Sequence, residues 1–526
     1  MGATRFAPAA AAALFLLLAL LSAWHCDDAW ISFRTAENVV SGAGLTWNPG
    51  ERVQAFTHPL WLAFVIACRT LTGGFFYSVL LGSLALVTLA VGGLAWRGRH
   101  APILVGVLLL ALSTSKASVD YATSGLGTPL LYALLVGFAL AAERALEPPR
   151  RPQMLLLASL LGCGVVLTRL DALLLVAPAL LLLAWRCRKQ RGRLAMLALG
   201  FAPLVLWEVF SLLWFGVPLP NTAYAKLNLD LSRFELVGQG FHYLKDSLRR
   251  DPVTLLLLGI GATIALRRKE LPAALAVGGL LGLLYVLRVG GDFMTGRFLV
   301  APLAVTVAGL VLSLEPLEDA ARLKRSALVV VGAVVIYGLL WPSSPWRSNA
   351  AYGLDWTPDR IIGPHLITDE RAVYYQGGGL LPALLAPDAA GPPPHHKLVH
   401  AGRAITEPVT AAWSVGFAGF FAPPGTHLVD RWALTDPLLA RIPFQPDGRW
   451  RIGHYPRPVP EGYLETLRGT GAIADPALAA AWDDIVLATR APLFADGRLG
   501  AIWRLNTGHH AAAFAAAARP VGMIPE

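Results

Sequence analysis

The sequence predicts a polytopic α-helical membrane protein of about eleven crossings, followed by a C-terminal α/β domain outside the membrane. Three observations predict it. Hydrophobic residues make up 55% of the 526-residue chain and charged residues only 15%, with a mean hydropathy of +0.55. Ordinary soluble proteins carry about 25% charged residues, so a water-soluble globule is excluded, and a disordered chain with it. Long apolar runs follow one another from the N-terminus to residue 342. The short loops between them are basic, which explains a net charge of +10 by membrane topology rather than by nucleic-acid binding. Cys26, Cys68, Cys163 and Cys187 are scattered and imply neither a disulfide frame nor a metal cluster.

The first run, Met1 to Trp24, reads as a retained signal anchor, because no small-x-small cleavage site precedes His25. Further runs follow at 57–72, 74–95, 101–114, 126–143, 153–168, 171–186, 194–215, 253–267, 271–288, 297–314 and 327–342. Several fall short of the roughly 20 residues that a perpendicular span requires. The basic connections are Arg97 to His100, Glu143 to Arg151, Arg186 to Arg193, Arg267 to Glu270 and Glu315 to Arg325. All five share the inner side if 57–72 is a re-entrant or surface helix and the N-terminus is inside. The loops 25–56, 115–125, 169–171, 216–252 and 289–296 then face outward, as does everything after the last span. The Ala/Leu/Gly/Arg-rich composition suits a GC-rich bacterium, which makes the membrane the inner (plasma) membrane and the outer face periplasmic.

Residues 1–342 are thus expected to form the transmembrane domain, with 25–56 as its first outer loop, and 343–526 an extracytoplasmic domain. In the latter, Lys397–Val399, His427–Asp430, Asp484–Leu487 and Arg498–Arg504 read as strands. The nearly all-Ala stretch 511–518 reads as a surface helix or a tail.

The outer loops hold the polar residues that a membrane tolerates least. Asp27 and Asp28 follow the first span directly, and an Asp in the hydrocarbon core costs roughly 3 kcal/mol. A helix over 28–41, ending at Gly42, places Asp27, Ile31, Arg34 and Asn38 on one face. A capped, solvated helix is the structural alternative. His58 precedes an apolar run, where an interfacial position is the bland reading. Lys116, Asp120 and Ser124 stand at the end of a span. Arg169 and Asp171 lie between two short spans, as an ion pair or as part of a ligand site. Asn221, Tyr224 and Lys226 follow another span; Gly290, Gly291, Asp292 and Arg297 follow a further one. Lys226, Arg297 and Arg169 are the cations expected on a phosphate, or alternatively anchors to lipid head groups. Arg34, His58, Ser124, Asp171, Asn221, Tyr224 and Asp292 are the expected substrate contacts. Trp30, Trp47, Trp61 and Tyr224 suit either an aromatic belt or stacking on sugar.

Several of these stretches resemble one family. They are Asp27 to Arg34, Gly42 to Val53, Thr57 to Trp61, Ser124 to Leu126, Pro220 to Lys226, Gly290 to Met294 with Gly296 to Phe298, and, further on, Gly416 to Phe420, Val429-Asp430 with Leu434 to Pro437, and Gly453-His454. Their order is similar to that in the GT-C glycosyltransferases, in the terminal arabinofuranosyltransferase branch. The resemblance implies a transmembrane core, an active site at the acidic first outer loop, and a polyprenyl-phosphate sugar donor. The family's acidic pair falls on Asp27 and Asp28. Gly127 stands where members often have Glu, and Leu170 where they commonly have Pro. On this reading Asp27, with Asp28 beside it, deprotonates an acceptor hydroxyl while Lys226, Arg297 and Arg169 meet the leaving phosphate. The paired acids suit Mg²⁺ or Mn²⁺, yet work equally without metal. A transporter or a non-enzymatic envelope scaffold is the rival class. Transporters gather charge near the midplane in related halves, and neither feature is visible in the sequence.

Overall fold

The computed structural model describes residues 6–148, 151–268, 270–315, 320–385 and 393–522. Pro149, Arg150, Lys269 and residues 316–319 of the expected basic connections lie outside the described residues. The chain divides into two compact units. One comprises Met1–Cys26, Phe76–Leu204 and Leu236–His395, and the other Asp27–Phe75, Val205–Glu235 and His396–Glu526. The division does not follow the sequence boundary at 342/343. The first outer loop groups with the C-terminal residues, and 343–395 with the apolar helices.

The first unit is a helical bundle. Phe76–Arg97, Thr128–Leu146, Leu170–Cys187 and Leu271–Arg288 are long and apolar enough to cross a membrane, among the described residues. Shorter apolar helices of this unit include Ala7–Leu21, Pro102–Thr114, Pro152–Thr168 and Pro252–Leu266. Prolines open many of these helices, where the missing N–H would have no intrahelical partner in any case. Between spans, where both lipid and protein are apolar, close packing replaces the hydrophobic drive. Leu271–Arg288 shows how. A Cβ on Gly278 would fall 2.0 Å from the Leu175 carbonyl oxygen, and one on Gly279 2.1 Å from Thr306 Oγ1. Glycine there lets the helix touch Leu173–Cys187 on one side and Val300–Leu312 on the other.

Charged groups also hold this unit together. Lys116 pairs with Asp120 and, at 2.9 Å, with Asp369, and donates to the Tyr352 hydroxyl at 2.7 Å. Arg371 lies 2.9 Å from Asp120. Burial alone would raise the Asp369 carboxyl, but the charges of Lys116, Arg250 and Arg371 hold it at about 2. Lys116 and Asp120, the two ends of the short helix after Pro102–Thr114, therefore fasten residues 352–371 to it.

The second unit is mostly helical, with two pairs of parallel strands. Strand β1 (Val409–Ala412) runs beside β2 (His427–Asp430), and Gln445–Pro446 beside Pro520–Val521. Of the four expected strands only His427–Asp430 is one. Lys397–Arg403, Pro476–Thr489 and Arg498–Asn506 are helices. Their caps explain the difference. Asp475 accepts the Leu478 N–H at 2.7 Å with Pro476 at the first helical position, so the β-branched Ile485 and Val486 lie on a helix already nucleated. Residues Ala511–Ala517 are helical. Pro59–Thr72 belongs to this unit and is tied to the helix Asp27–Val40 by a forked Glu37–Arg69 pair.

Candidate active site

The helix Asp27–Val40 begins at the two acids, as its sequence spacing predicts. Trp30 seats it, packing on Phe417, Phe420 and Phe421 with ring centres 5.4, 4.7 and 5.3 Å away. That contact brings Asp27 against the turn after β1. One carboxylate oxygen of Asp27 accepts the Phe417 N–H at 2.7 Å, and the other faces Ser414 Oγ at 3.5 Å. Gly416 closes the cradle: a Cβ there would stand 2.4 Å from the Asp27 carboxyl carbon. The crowding strips water from Asp27 and pushes its pKa up to about 7. The Phe417 N–H opposes the shift and the charge of Asp28 adds to it. A carboxyl poised near neutrality, with one oxygen tethered and the other held only weakly, is suited to take a proton.

Arg34 and Asn38 share the Asp27 face, but Arg34 is not the substrate contact expected of it. Its guanidinium donates to the carbonyls of Trp47 (3.0 Å), Gly419 and Thr426 (2.8 Å), and stacks 4.3 Å from the Trp47 ring centre. Burial pushes it down to about 10. Every arm is used by the fold. The same holds for Asn221, whose amide faces the carbonyls of Ala433, Leu434 and Asp436 at 3.0, 3.1 and 3.0 Å. His58 has a hydroxyl at each ring nitrogen, Ser32 Oγ at 2.8 Å and Thr57 Oγ1 at 3.1 Å. Tyr224, half-buried on the helix Asn221–Leu227, lies under the Arg441 guanidinium at 5.3 Å, with Lys226 two residues on. Trp30, Trp47 and Trp61 are buried in protein, 2%, 0% and 0% exposed, and form neither a lipid belt nor a sugar platform.

In the first unit, Arg169 and Arg297 line one recess. Arg169 forks onto Asp171 at 3.0 and 2.6 Å, and Arg297 onto Asp292, one arm at 2.8 Å. Both guanidiniums face the Phe298 ring, 4.5 and 5.2 Å from its centre. Thr128 and Tyr285 add polar edges, and Leu131, Leu175, Val286 and Pro302 an apolar floor. Two guanidiniums, each paired with a carboxylate, over such a floor suit a ligand with a polar head and an apolar tail. Arg169 and Asp171 thus form an ion pair, one of the two readings their sequence position allows, and Arg297 pairs with Asp292, which the sequence does not signal. Ser124 lies apart from this recess; it is fully buried, and its carbonyl accepts the Cys26 N–H at 3.0 Å.

Two positioning residues had no signal in the sequence. Tyr243, fully buried, donates to the Met294 carbonyl at 3.1 Å and accepts the Phe298 N–H at 3.0 Å, so it clasps the chain on both sides of Arg297. A Cβ on Gly291 would strike its ring at 2.4 Å, so only glycine lets the loop lie on it. Ser414 is the other, two residues before the stretch Gly416 to Phe420 that carries the family resemblance. For a divalent cation the candidates are Asp27 and Asp28. Among the described residues no group of three or more His, Cys, Asp or Glu side chains is gathered to hold one.

No protein-family model matches the chain. Two curated proteins, both named terminal β-(1→2)-arabinofuranosyltransferase, are similar to it. That of Mycobacterium tuberculosis is 31% identical over 417 residues, covering 69% of this chain and 64% of the relative. That of Corynebacterium glutamicum is 28% identical over 341 residues, covering 53% and 46%. The match spans less than two thirds of either relative. A crystal structure of ArnT from Cupriavidus metallidurans bound to undecaprenyl phosphate aligns with 70% of this chain and 67% of its own, at 16% identity and a TM-score of 0.47. The likeness to terminal arabinofuranosyltransferases read from the motifs is therefore the likeness that the curated relatives carry.

Proposed function

We propose that the protein is a membrane glycosyltransferase. It moves a sugar, arabinofuranose by analogy with its relatives, from a polyprenyl-phosphate donor to a hydroxyl of an acceptor glycan at the periplasmic face of a bacterial inner membrane. The observation that carries the reading is Asp27: a carboxyl raised to about 7, held by the Phe417 N–H in a cradle that only glycine permits. Such a group takes a proton at neutral pH, and a positioned base contributes about 10²–10⁴ in rate. In the transfer, the acceptor oxygen bonds to the anomeric carbon and its proton passes to Asp27. The carbon–oxygen bond to phosphate breaks, and the pair of electrons leaves with the lipid phosphate.

That leaving group is already ionised, so it calls for positive charge rather than a protonating acid. Arg169 and Arg297 are assigned this role because their forked Asp partners fix both guanidiniums around one ring. Lys226 is assigned a supporting charge. A divalent cation, if used, is assigned to Asp27 and Asp28; no step above depends on it.

The test is reconstitution in vesicles with a radiolabelled polyprenyl-phosphate arabinofuranose and an arabinofuranose oligosaccharide. Wild-type protein should lengthen the oligosaccharide, and Asp27→Ala should not. Accumulation of free sugar inside the vesicles without lengthening would replace this reading with transport.

A further inference from the structure

The turn that cradles Asp27 begins with an aromatic residue, and its neighbour strand ends on another. Strands β1 and β2 are parallel, so their C-terminal ends lie side by side: Trp413 follows β1, and Arg431 and Trp432 follow β2. The two indoles stand 5.2 Å apart at 64°, and His454 flanks Trp432 at 5.0 Å and 80°. Arg431 stacks 3.9 Å from the Trp413 ring centre. All four side chains are half-buried, in contrast to the sealed Trp30, Trp47 and Trp61.

The presentation is rigid. Buried Asp430 accepts the backbone N–H groups of Trp432 (2.9 Å), Leu434 (2.7 Å) and Thr435 (3.0 Å). Ala433 between them is held at φ 61°, a left-handed conformation that L-residues rarely adopt. Such strain persists where the surroundings over-determine it, commonly at binding sites. The Trp432 indole N–H is spent on the Trp413 carbonyl, which locks one ring against the other. What the pair still offers is aromatic surface, with a guanidinium beside it.

We propose that Trp413, Trp432 and Arg431 form a platform for a sugar residue of a neutral glycan, the acceptor of the transfer. The C–H face of a sugar ring packs on an indole as other apolar surfaces do, and the guanidinium can donate to its hydroxyls. The backbone delivers the platform to the catalytic carboxyl: Trp413 adjoins Ser414, and Phe417 holds Asp27. The role as acceptor subsite rests on the transferase reading above; glycan binding itself does not.

The experiment therefore measures binding without donor. Full-length protein in detergent is titrated with an arabinofuranose tetrasaccharide, as wild type, Trp432→Ala and Trp432→Phe. Trp432→Ala should weaken binding about tenfold. Since Trp432→Ala is able to disturb its turn, Trp432→Phe supplies a second measurement. The tetrasaccharide should protect from acrylamide a component of wild-type emission that Trp432→Phe lacks. Equal protection in both proteins, or unchanged affinity in Trp432→Ala, would overturn the platform. Loss of transfer in the wild type with binding intact would overturn the transferase reading and leave the platform standing.

Discussion

Gly416 has no side chain because Asp27 occupies the place where one would be: a Cβ would fall 2.2 Å from the Asp27 carbonyl oxygen and 2.4 Å from its carboxyl carbon. Backbone and carboxylate cannot both yield cheaply. Gly416→Ala should therefore push the carboxyl off the Phe417 N–H and cut transfer about 10²-fold, the cost of a misplaced catalytic group. The thermal midpoint should fall by only a few degrees. A variant with wild-type transfer would show that the cradle is not needed.

Acidity is set by the same contact. Asp27 works as a base only when ionised, and burial has pushed it up to about 7. The rate of transfer should consequently fall tenfold per pH unit below about 7 and level off above it. The stability linkage has the opposite sign. The folded chain binds this proton more tightly than the unfolded chain does, so the fold loses stability as pH rises from about 4 to about 7, and the loss levels off above 7. Asp27→Asn should then melt no lower than the wild type at pH 8, while losing activity.

The fork of Arg297 on Asp292 is planar recognition, which lysine does not reproduce. Arg297→Lys keeps the charge but should raise the donor KM about tenfold or more, the worth of a charge-assisted hydrogen bond. Asp292→Asn should act in the same direction by releasing the guanidinium. Both are read by varying the lipid donor at saturating acceptor; an unchanged donor KM in both variants would remove Arg297 from the phosphate role.

Arg34 makes the contrasting case. Its three carbonyl partners are buried with it, and each loses its donor in Arg34→Ala. A loss of about 3 kcal/mol or more of stability is expected, read as a lowered denaturation midpoint. Protein that stays folded should keep its acceptor KM. A selective rise of that KM at unchanged stability would return Arg34 to the substrate.

The bundle was legible because its signal is periodic and long. The runs at 74–95, 126–143 and 271–288 reappear almost residue for residue as Phe76–Arg97, Thr128–Leu146 and Leu271–Arg288. The helix carrying Asp27 was legible too, since twin acids at its start and Gly42 after its end are local signals. The C-terminal strands were not. Ile485-Val486 and Ile502-Trp503 carry strand-like composition, but caps at Asp475 and Gly497 and burial of Ile485 and Ala501 on helical faces decided otherwise. Polar residues stand out in the loops, but most of their partners are invisible in the sequence. Arg34 and Asn221 meet carbonyls from distant stretches of sequence, and no spacing in a single chain reports a partner hundreds of residues away. Ser414 and Tyr243 carry no signal for the same reason.

The central claim is that Asp27 takes the acceptor's proton, and the turnover of Asp27→Asn at pH 8, with both substrates saturating, tests it most directly. The amide preserves shape and the contact to Phe417 but is not a base. A fall of about 10²–10⁴ in kcat with donor KM within a factor of two is the expected result; turnover within threefold of the wild type would contradict it.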